Sequence, residues 1–423
     1  MAFDLDSKSF WDESQVEGEL KRVFDICNGC RRCYNLCPSF NDLFSRLDRD
    51  SVDGEAEKLG PSDLRSVTDL CYQCKLCFNN CPYTPPHRWD VDFPRLMLRS
   101  KAVQVKREGS SLQDRFLGQT DLIGRLGTLL APLANWANRN RLNRWILEKV
   151  LGIHRDRILP TYASETFLRW FDSRPQKNIP GGDKKVALFY TCSVNYNEPE
   201  IGQACVRVLE KNGIRVVCPE QRCCGMPFLD GGDIKATKKS AKANVESLNS
   251  LIQQGYDVVV PGPTCSYMLK REYPFLLKDD AAEKVAAKTF DICEYLMVLH
   301  GEGRLDTRFV KEGGRVAYQI PCHLRAQNIG YKSRDLLRLI PGTTVHLIEK
   351  CSAIDGTWGL KRQYYDLSLQ VAEPLLREIR ESRPDVTASD CPLAALQVKQ
   401  GLGQKPLHPI QLVERAYGLE AEG

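Results

Sequence analysis

At 423 residues the chain outgrows a single hydrophobic core, so roughly two to three domains are expected. Apolar residues at 42%, charged residues at 27% and a net charge of +5 are ordinary globular values, and so mild a basic excess gives no reason to expect nucleic acid as a partner. Nowhere do about eighteen apolar residues run together, which excludes a spanning helix; the outlier is cysteine, with 18 in all and eight between Cys27 and Cys81.

The opening Met1-Ala2-Phe3-Asp4-Leu5-Asp6 has neither a basic start nor an apolar run. That predicts no signal peptide and a cytoplasmic protein, in which cysteines serve as thiolate ligands rather than disulfides. From Phe10 to Lys106 the chain is polar, broken by Pro38, Pro61, Pro82, Pro85, Pro86 and Pro94, and lacks alternating β-rich runs. Short helices around metal are expected there.

Cys27-Asn28-Gly29-Cys30-Arg31-Arg32-Cys33-Tyr34-Asn35-Leu36-Cys37-Pro38 spaces its cysteines two, two and three residues apart before a proline. This is the bacterial-ferredoxin run: three thiolates reach one cubane and the fourth reaches its neighbour, so the motif predicts a twin. Cys71, Cys74, Cys77 and Cys81, followed by Pro82, supply it at identical spacing. The cross-over rule then assigns Cys27, Cys30, Cys33 and Cys81 to one [4Fe-4S] cluster, and Cys71, Cys74, Cys77 and Cys37 to the other. Zinc would ask for two Cys-x-x-Cys pairs rather than two runs of four. Tyr34, Leu36, Tyr72, Leu76 and Phe78 either shield the clusters from water or simply pack the core.

Between Glu108 and Arg174 no patterned cysteine occurs, and Leu122, Ile123, Leu126, Leu129, Leu130, Leu133 and Trp136 recur at helical spacing. A helical connector is expected. From Leu122 to Leu151 it interleaves Arg125, Arg139, Arg141, Arg144 and Lys149 with apolar residues, a pattern that suits either a membrane interface or packing against other domains.

Beyond residues 180–182 the pattern changes to short apolar strands followed by amphipathic helices. Strands are expected at Val186–Tyr190, Ile214–Cys218 and Asp257–Val260, with helices at Glu198–Lys211 and Ile234–Gln254. The order recurs as strand Arg315–Gln319, helix Lys332–Leu339, strand Thr344–Ile348, helix Lys361–Glu381 and strand Asp385–Thr387. Cysteines return with it, at offsets of 130 for Cys192 and Cys322, 127 for Cys224 and Cys351, and 126 for Cys265 and Cys391. That is an internal repeat of two lobes. Cys205, Cys218 and Cys293 fall outside it and read as core residues. His323, beside Cys322, reads first as a helix-capping or loop-bonding side chain, with ligation or proton donation as the alternative.

Cys223-Cys224-Gly225, with Cys192 and Cys265, resembles the Cys-Cys-Gly proteins: heterodisulfide reductase catalytic subunits, glycolate oxidase iron–sulfur subunits and the iron–sulfur subunit of anaerobic glycerol-3-phosphate dehydrogenase. The likeness extends to Thr120-Asp121-Leu122, Ala131-Pro132, Phe167-Leu168-Arg169-Trp170, Val194-Asn195-Tyr196-Asn197, Asn244-Val245-Glu246-Ser247 and Pro321-Cys322-His323. It implies an α+β multidomain chain: a two-cluster ferredoxin-like domain over 1–106, a helical connector over 107–182, Cys-Cys-Gly lobe 1 over 183–310 and a degenerate lobe 2 over 311–423.

It implies further that Cys192, Cys223, Cys224 and Cys265 hold a third iron–sulfur cluster, and that Cys322, Cys351 and Cys391 are weaker metal ligands. Against the family pattern, Met268 stands for a fifth cysteine in lobe 1. In lobe 2, Lys350 and Ser352 flank Cys351 in place of the pair's first cysteine and its glycine, Ala394 stands three residues after Cys391, and three thiols would need help from His323 or Asp390. The implied function is an electron relay between a flavoprotein dehydrogenase and an acceptor such as quinone, in the cytoplasm or on the inner face of the membrane. The alternative is reduction of a disulfide or other small oxidant at lobe 1. No phosphate loop, GxGxxG fingerprint or flavin motif appears, so that chemistry is expected in another subunit.

Overall fold

The computed structural model describes residues 3–175 and 184–420. The Pro-Gly-Gly punctuation at 180–182 and the boundary expected at 182/183 lie outside the described residues. Two compact units are present: Met1–Arg115 with Pro227–Ala236, and Phe116–Met226 with Thr237–Gly423.

The first unit is helical, with its principal helices at Glu13–Cys30, Pro38–Leu47, Pro61–Leu70, Leu76–Asn80 and Phe93–Glu108. Asp12 caps the first by accepting the Gln15 N–H at 3.0 Å. Val16, Leu20, Val23 and Phe24 then form one buried stripe. Pro38 and Pro61 stand at helix starts, where the missing N–H costs nothing. Phe40, Leu43, Phe44, Val67, Phe93, Leu96 and Met97 fill the core, and Phe40 stacks on Phe93 with ring centroids 4.4 Å apart.

The second unit carries two small parallel sheets among helices. The first contains β1 (Lys185–Leu188), β2 (Arg215–Val217), β3 (Asp257–Val260) and β4 (Thr289–Asp291) in the order β2-β1-β3-β4. The second contains β5 (Arg315–Gln319), β6 (Thr344–Ile348) and β7 (Val386–Ala388) in the order β6-β5-β7. The shared arrangement, with the first strand of each lobe central, is the sequence repeat in space. β4, only three residues long, is the strand that sequence periodicity did not suggest. Val258, Val259 and Val260 are wholly buried, as befits a parallel strand covered on both faces.

Parallel strands deliver all their carboxyl ends to one edge, where α/β proteins bind ligands. Cys192, Cys265, Cys322 and Cys391 each follow such an end, after β1, β3, β5 and β7. The helices Thr120–Leu129, Ala131–Arg139 and Arg141–Leu151 belong to this unit. Gly124 and Gly127 turn inward, and a Cβ at Gly124 would lie 2.2 Å from the Tyr196 ring, so only glycine permits this approach. The expected helix Lys361–Glu381 begins instead at Tyr365, because short 3-10 turns at Trp358–Leu360 and Arg362–Tyr364 take up its start.

Candidate iron–sulfur sites

In the first unit Cys27, Cys30, Cys33 and Cys81 line one cavity, and Cys37, Cys71 and Cys74 line another, with Cys77 on the wall of both. Phe40 and Phe93 complete that shared wall. Burial pushes the Cys27 thiol up, helped by the charges of Cys33, Cys81 and Cys30, and brings Cys33 up to about 11. Cys77 is raised by burial and then by Cys74, Cys71 and Cys37. The electrostatic neighbours of Cys27 are Cys33, Cys81 and Cys30, whereas those of Cys77, on the shared wall, also include Cys33 from the first cavity. Buried thiols crowded this way remain protonated unless iron neutralises them, so the donor sets fit clusters.

Identical spacing does not mean identical backbone. Cys27 and Cys30 lie in the last turn of the Glu13–Cys30 helix, which Arg31 ends at φ 49°. Around Cys74 it is Gln73 and Lys75 that are left-handed, at φ 57° and 66°, and Cys77 begins the next helix with Leu76. Gln73 Nε2 donates to Cys71 Sγ at 3.4 Å and to the Pro94 carbonyl at 3.2 Å, while buried Lys75 donates to Gln73 Oε1 at 2.6 Å. Lys101 donates to the Cys71 carbonyl at 2.7 Å.

In lobe 1 the Cys265 thiol meets Cys224 Sγ at 3.3 Å, Cys224 meets Cys223, and Cys223 meets Cys192. Cys223 lies inside this chain of sulfurs, and hydrogen bonds from Cys192 and Cys224, then from Thr120 and the Gly225 N–H, hold its thiol well below the usual range against its burial. Gly225 sits at φ 88°, and a Cβ there would come within 3.2 Å of Thr237. Asp121 accepts the Cys223 N–H at 2.7 Å; burial first, then the Cys223 charge, push its carboxyl up to about 6. Tyr273 donates to the Cys224 carbonyl at 3.0 Å and is itself held by Asn244 at 2.9 Å. Met268, in the position of a fifth cysteine, is wholly buried. Four converging sulfurs, three of them on buried cysteines and one on the half-buried Cys192, fit an iron–sulfur core.

In lobe 2 the Cys322 thiol donates to Asp355 at 3.4 Å, and one ligand atom each from Cys322, His323 and Asp355 lie within 4.8 Å of one another. His323 Nδ1 shares a 2.9 Å hydrogen bond with Thr264 of lobe 1, and its ring stacks on Tyr267. Asp390 faces elsewhere: it accepts from Tyr318 and Ser333, both at 2.6 Å, and groups with Asp291 and Cys293. Burial drives the Cys391 thiol up to about 12, with Asp355 adding to it. Cys351 Sγ accepts the Ala353 N–H at 3.2 Å.

Residues 20–107 match the Citrate utilization protein B Fer4-like domain, and residues 186–270 and 316–399 each match the Cysteine-rich domain. A subunit of the anaerobic glycerol-3-phosphate dehydrogenase of Escherichia coli (strain K12) is 32% identical over 332 residues, 77% of this chain and 82% of the relative. This chain belongs to the Cys-Cys-Gly iron–sulfur oxidoreductase subunits. A subunit of the CoM/CoB fumarate reductase of Methanothermobacter marburgensis is 29% identical over 244 residues, covering 55% of this chain and 46% of that protein. Lactate utilization protein A of Bacillus pumilus is 30% identical over 219 residues, covering 49% and 87%.

Comparing the two Cys-Cys-Gly copies corrects the sequence alignment of lobe 2 by one residue. The left-handed residue there is Ala353 at φ 53°, the counterpart of Gly225, and not Ser352. Each donates its N–H to the sulfur two residues earlier, Gly225 to Cys223 and Ala353 to Cys351. Cys351 therefore corresponds to Cys223, and Ser352 to Cys224. Asp121, Asn244 and Tyr273 around lobe 1, and Asp355 in lobe 2, are site residues to which the sequence reading gave no role. Asp355, four residues past Cys351, carried the nearest thing to a signal.

Proposed function

We propose that this protein is an electron relay within an oxidoreductase complex. Cys27, Cys30, Cys33 and Cys81 would hold one [4Fe-4S] cluster, Cys71, Cys74, Cys77 and Cys37 a second, and Cys192, Cys223, Cys224 and Cys265 a third iron–sulfur cluster. Bound clusters supply one-electron carriers with no chemistry asked of the protein beyond holding them. The observation that carries this reading is the shared wall of Phe40, Phe93 and Cys77 between the first two thiol cavities, because adjacent sites that share a wall suit electron passage rather than substrate turnover. The domain order that goes with it is 1–106, 107–182, 183–310 and 311–423.

The relatives are named as subunits of a dehydrogenase and of a reductase, which supports a further redox subunit as partner; a flavoprotein dehydrogenase is the proposed electron donor. Quinone is the proposed acceptor, met at the inner membrane surface. No helix among the described residues is long and apolar enough to cross a membrane. An interfacial contact is supported instead by Leu122, Leu126, Leu129, Leu133, Trp136 and Leu142, all more than half exposed. Disulfide reduction at lobe 1 is the weaker reading, since buried Met268 replaces a thiol of the full set.

In the complex isolated with its dehydrogenase, substrate should generate paramagnetic signals from reduced clusters in this chain. Cys224→Ala should remove one signal and lower iron toward about eight atoms per chain, leaving both ferredoxin-type clusters reducible. Clusters that stay oxidised when the partner's flavin is reduced would refute the relay.

A further inference from the structure

Lobe 2 lacks the sulfurs for a cluster like that of lobe 1, yet its strand-end loops are not inert. Ser352 occupies the place of Cys224, so the sulfur chain that runs through Cys224 in lobe 1 has no equivalent there. What the fold brings together instead is a mixed donor set. Cys322 opens the short helix after β5, His323 follows it, and Asp355 reaches in from the loop after β6, where Ala353 and Gly356 are left-handed at φ 53° and 55°.

We propose that lobe 2 holds a single divalent ion, zinc by its donor chemistry, on Cys322 Sγ, an imidazole nitrogen of His323 and a carboxylate oxygen of Asp355, with the fourth position left to water. One sulfur, one nitrogen and one oxygen atom mutually within 4.8 Å need only small movements to surround an ion at the usual bond lengths of about 2.0–2.3 Å. Mixed thiolate, imidazole and carboxylate ligation suits zinc, whereas a cubane asks for thiolates at each iron.

His323 has the support that metal-bound histidines carry. Its ring is buried, stacked on Tyr267 with centroids 5.3 Å apart, and its Nδ1 is bonded to Thr264. The Cys322 thiol already points at the Asp355 carboxylate, a contact in which an ion would replace the proton. Thr264 immediately precedes Cys265, so the ion would brace the loop that presents a lobe 1 sulfur. The site goes beyond the electron relay and does not depend on it.

The full chain, purified without oxygen, should contain about one zinc per chain besides its iron. Asp355→Ala and His323→Ala should each remove that zinc while iron and inorganic sulfide stay unchanged. As a second measurement that tolerates weakened folding, Co²⁺ exchanged into the wild-type protein should give the visible bands of a tetrahedral thiolate site, and Cys322→Ser should weaken Co²⁺ binding about tenfold or more. Absence of zinc in the wild type, together with failure to take up Co²⁺, would overturn the proposal. So would a loss of iron and sulfide, in place of zinc, on Asp355→Ala.

Discussion

Lys75 is buried to 4% exposure beside Cys74, and its charge, after that of Lys101 and the Gln73 N–H, opposes the burial that raises the Cys71 thiol. A buried cation favours the state with the extra electron, since reduction makes a cluster more negative and low-dielectric surroundings screen little. Replacing it with methionine keeps the packing and removes the charge. Lys75→Met should therefore lower the reduction potential of the cluster on Cys71, Cys74, Cys77 and Cys37, measured by a paramagnetic-resonance redox titration, while the other ferredoxin-type potential moves less. An unchanged potential would mean that Lys75 serves only to hold Gln73. Such a residue shows how far spacing carries. Ligand cysteines were legible because a cubane dictates their separation along the chain. Lys75, Asp121 and Tyr273 were not, because a neighbouring charge or hydrogen bond can come from any sequence distance.

Among elements, the helix Thr120–Leu129 has two distinct faces. Gly124 and Gly127 pack inward on Tyr196 and Tyr162, and Asp121 reaches the Cys223 backbone. Leu122, Leu126 and Leu129, at 55%, 52% and 77% exposure, project outward. The inward face is taken by glycine, so this helix inverts the usual pattern of an apolar face buried in its own core. Arg125, Arg139, Arg141 and Lys149 lie at the surface around it and complement anionic lipid. Arg144, which the sequence placed with them, does not: it is buried and donates to the carbonyls of Arg155 at 3.0 Å and Arg157 at 2.8 Å. Periodicity gave the helix but could not say which of its faces the core would occupy. The combined variant Leu122→Glu, Leu126→Glu and Leu129→Glu should bind vesicles rich in phosphatidylglycerol about tenfold or more weakly than wild type in a co-sedimentation assay. Each leucine withdrawn from lipid forfeits about 1 kcal/mol or more. Equal sedimentation of the two proteins would assign this face to a protein partner instead.

At the scale of the whole second unit, the lobes are joined where lobe 1 presents Cys265. Gln327 bonds the Pro263 carbonyl at 3.2 Å and Ser266 Oγ at 2.8 Å, Arg207 pairs with Glu414 at 2.6 Å, and buried His408 reaches the Pro261 carbonyl at 3.1 Å. The repeat was legible as two copies, but their docking was not, because these side chains lie outside the repeated cysteines. His408 makes the junction sensitive to pH. Its Nε2 must donate to the Pro261 carbonyl, and its Nδ1 accepts the Ile410 N–H at 3.1 Å, so the ring is neutral. Protonation would set a hydrogen on Nδ1 against that N–H. Burial holds the histidine below its ordinary value. With the folded value depressed, its share of stability is complete above the unfolded pKa of about 6.5 and is lost as pH falls below it toward the folded value. Thermal unfolding should therefore show wild type losing stability between about pH 7 and pH 5.5. His408→Gln, whose amide can still donate to Pro261 but cannot be protonated, should lose less over the same interval. Parallel curves for the two proteins would show that His408 takes up its proton alike in the folded and unfolded chain and that other groups set the acid limit of the lobe junction.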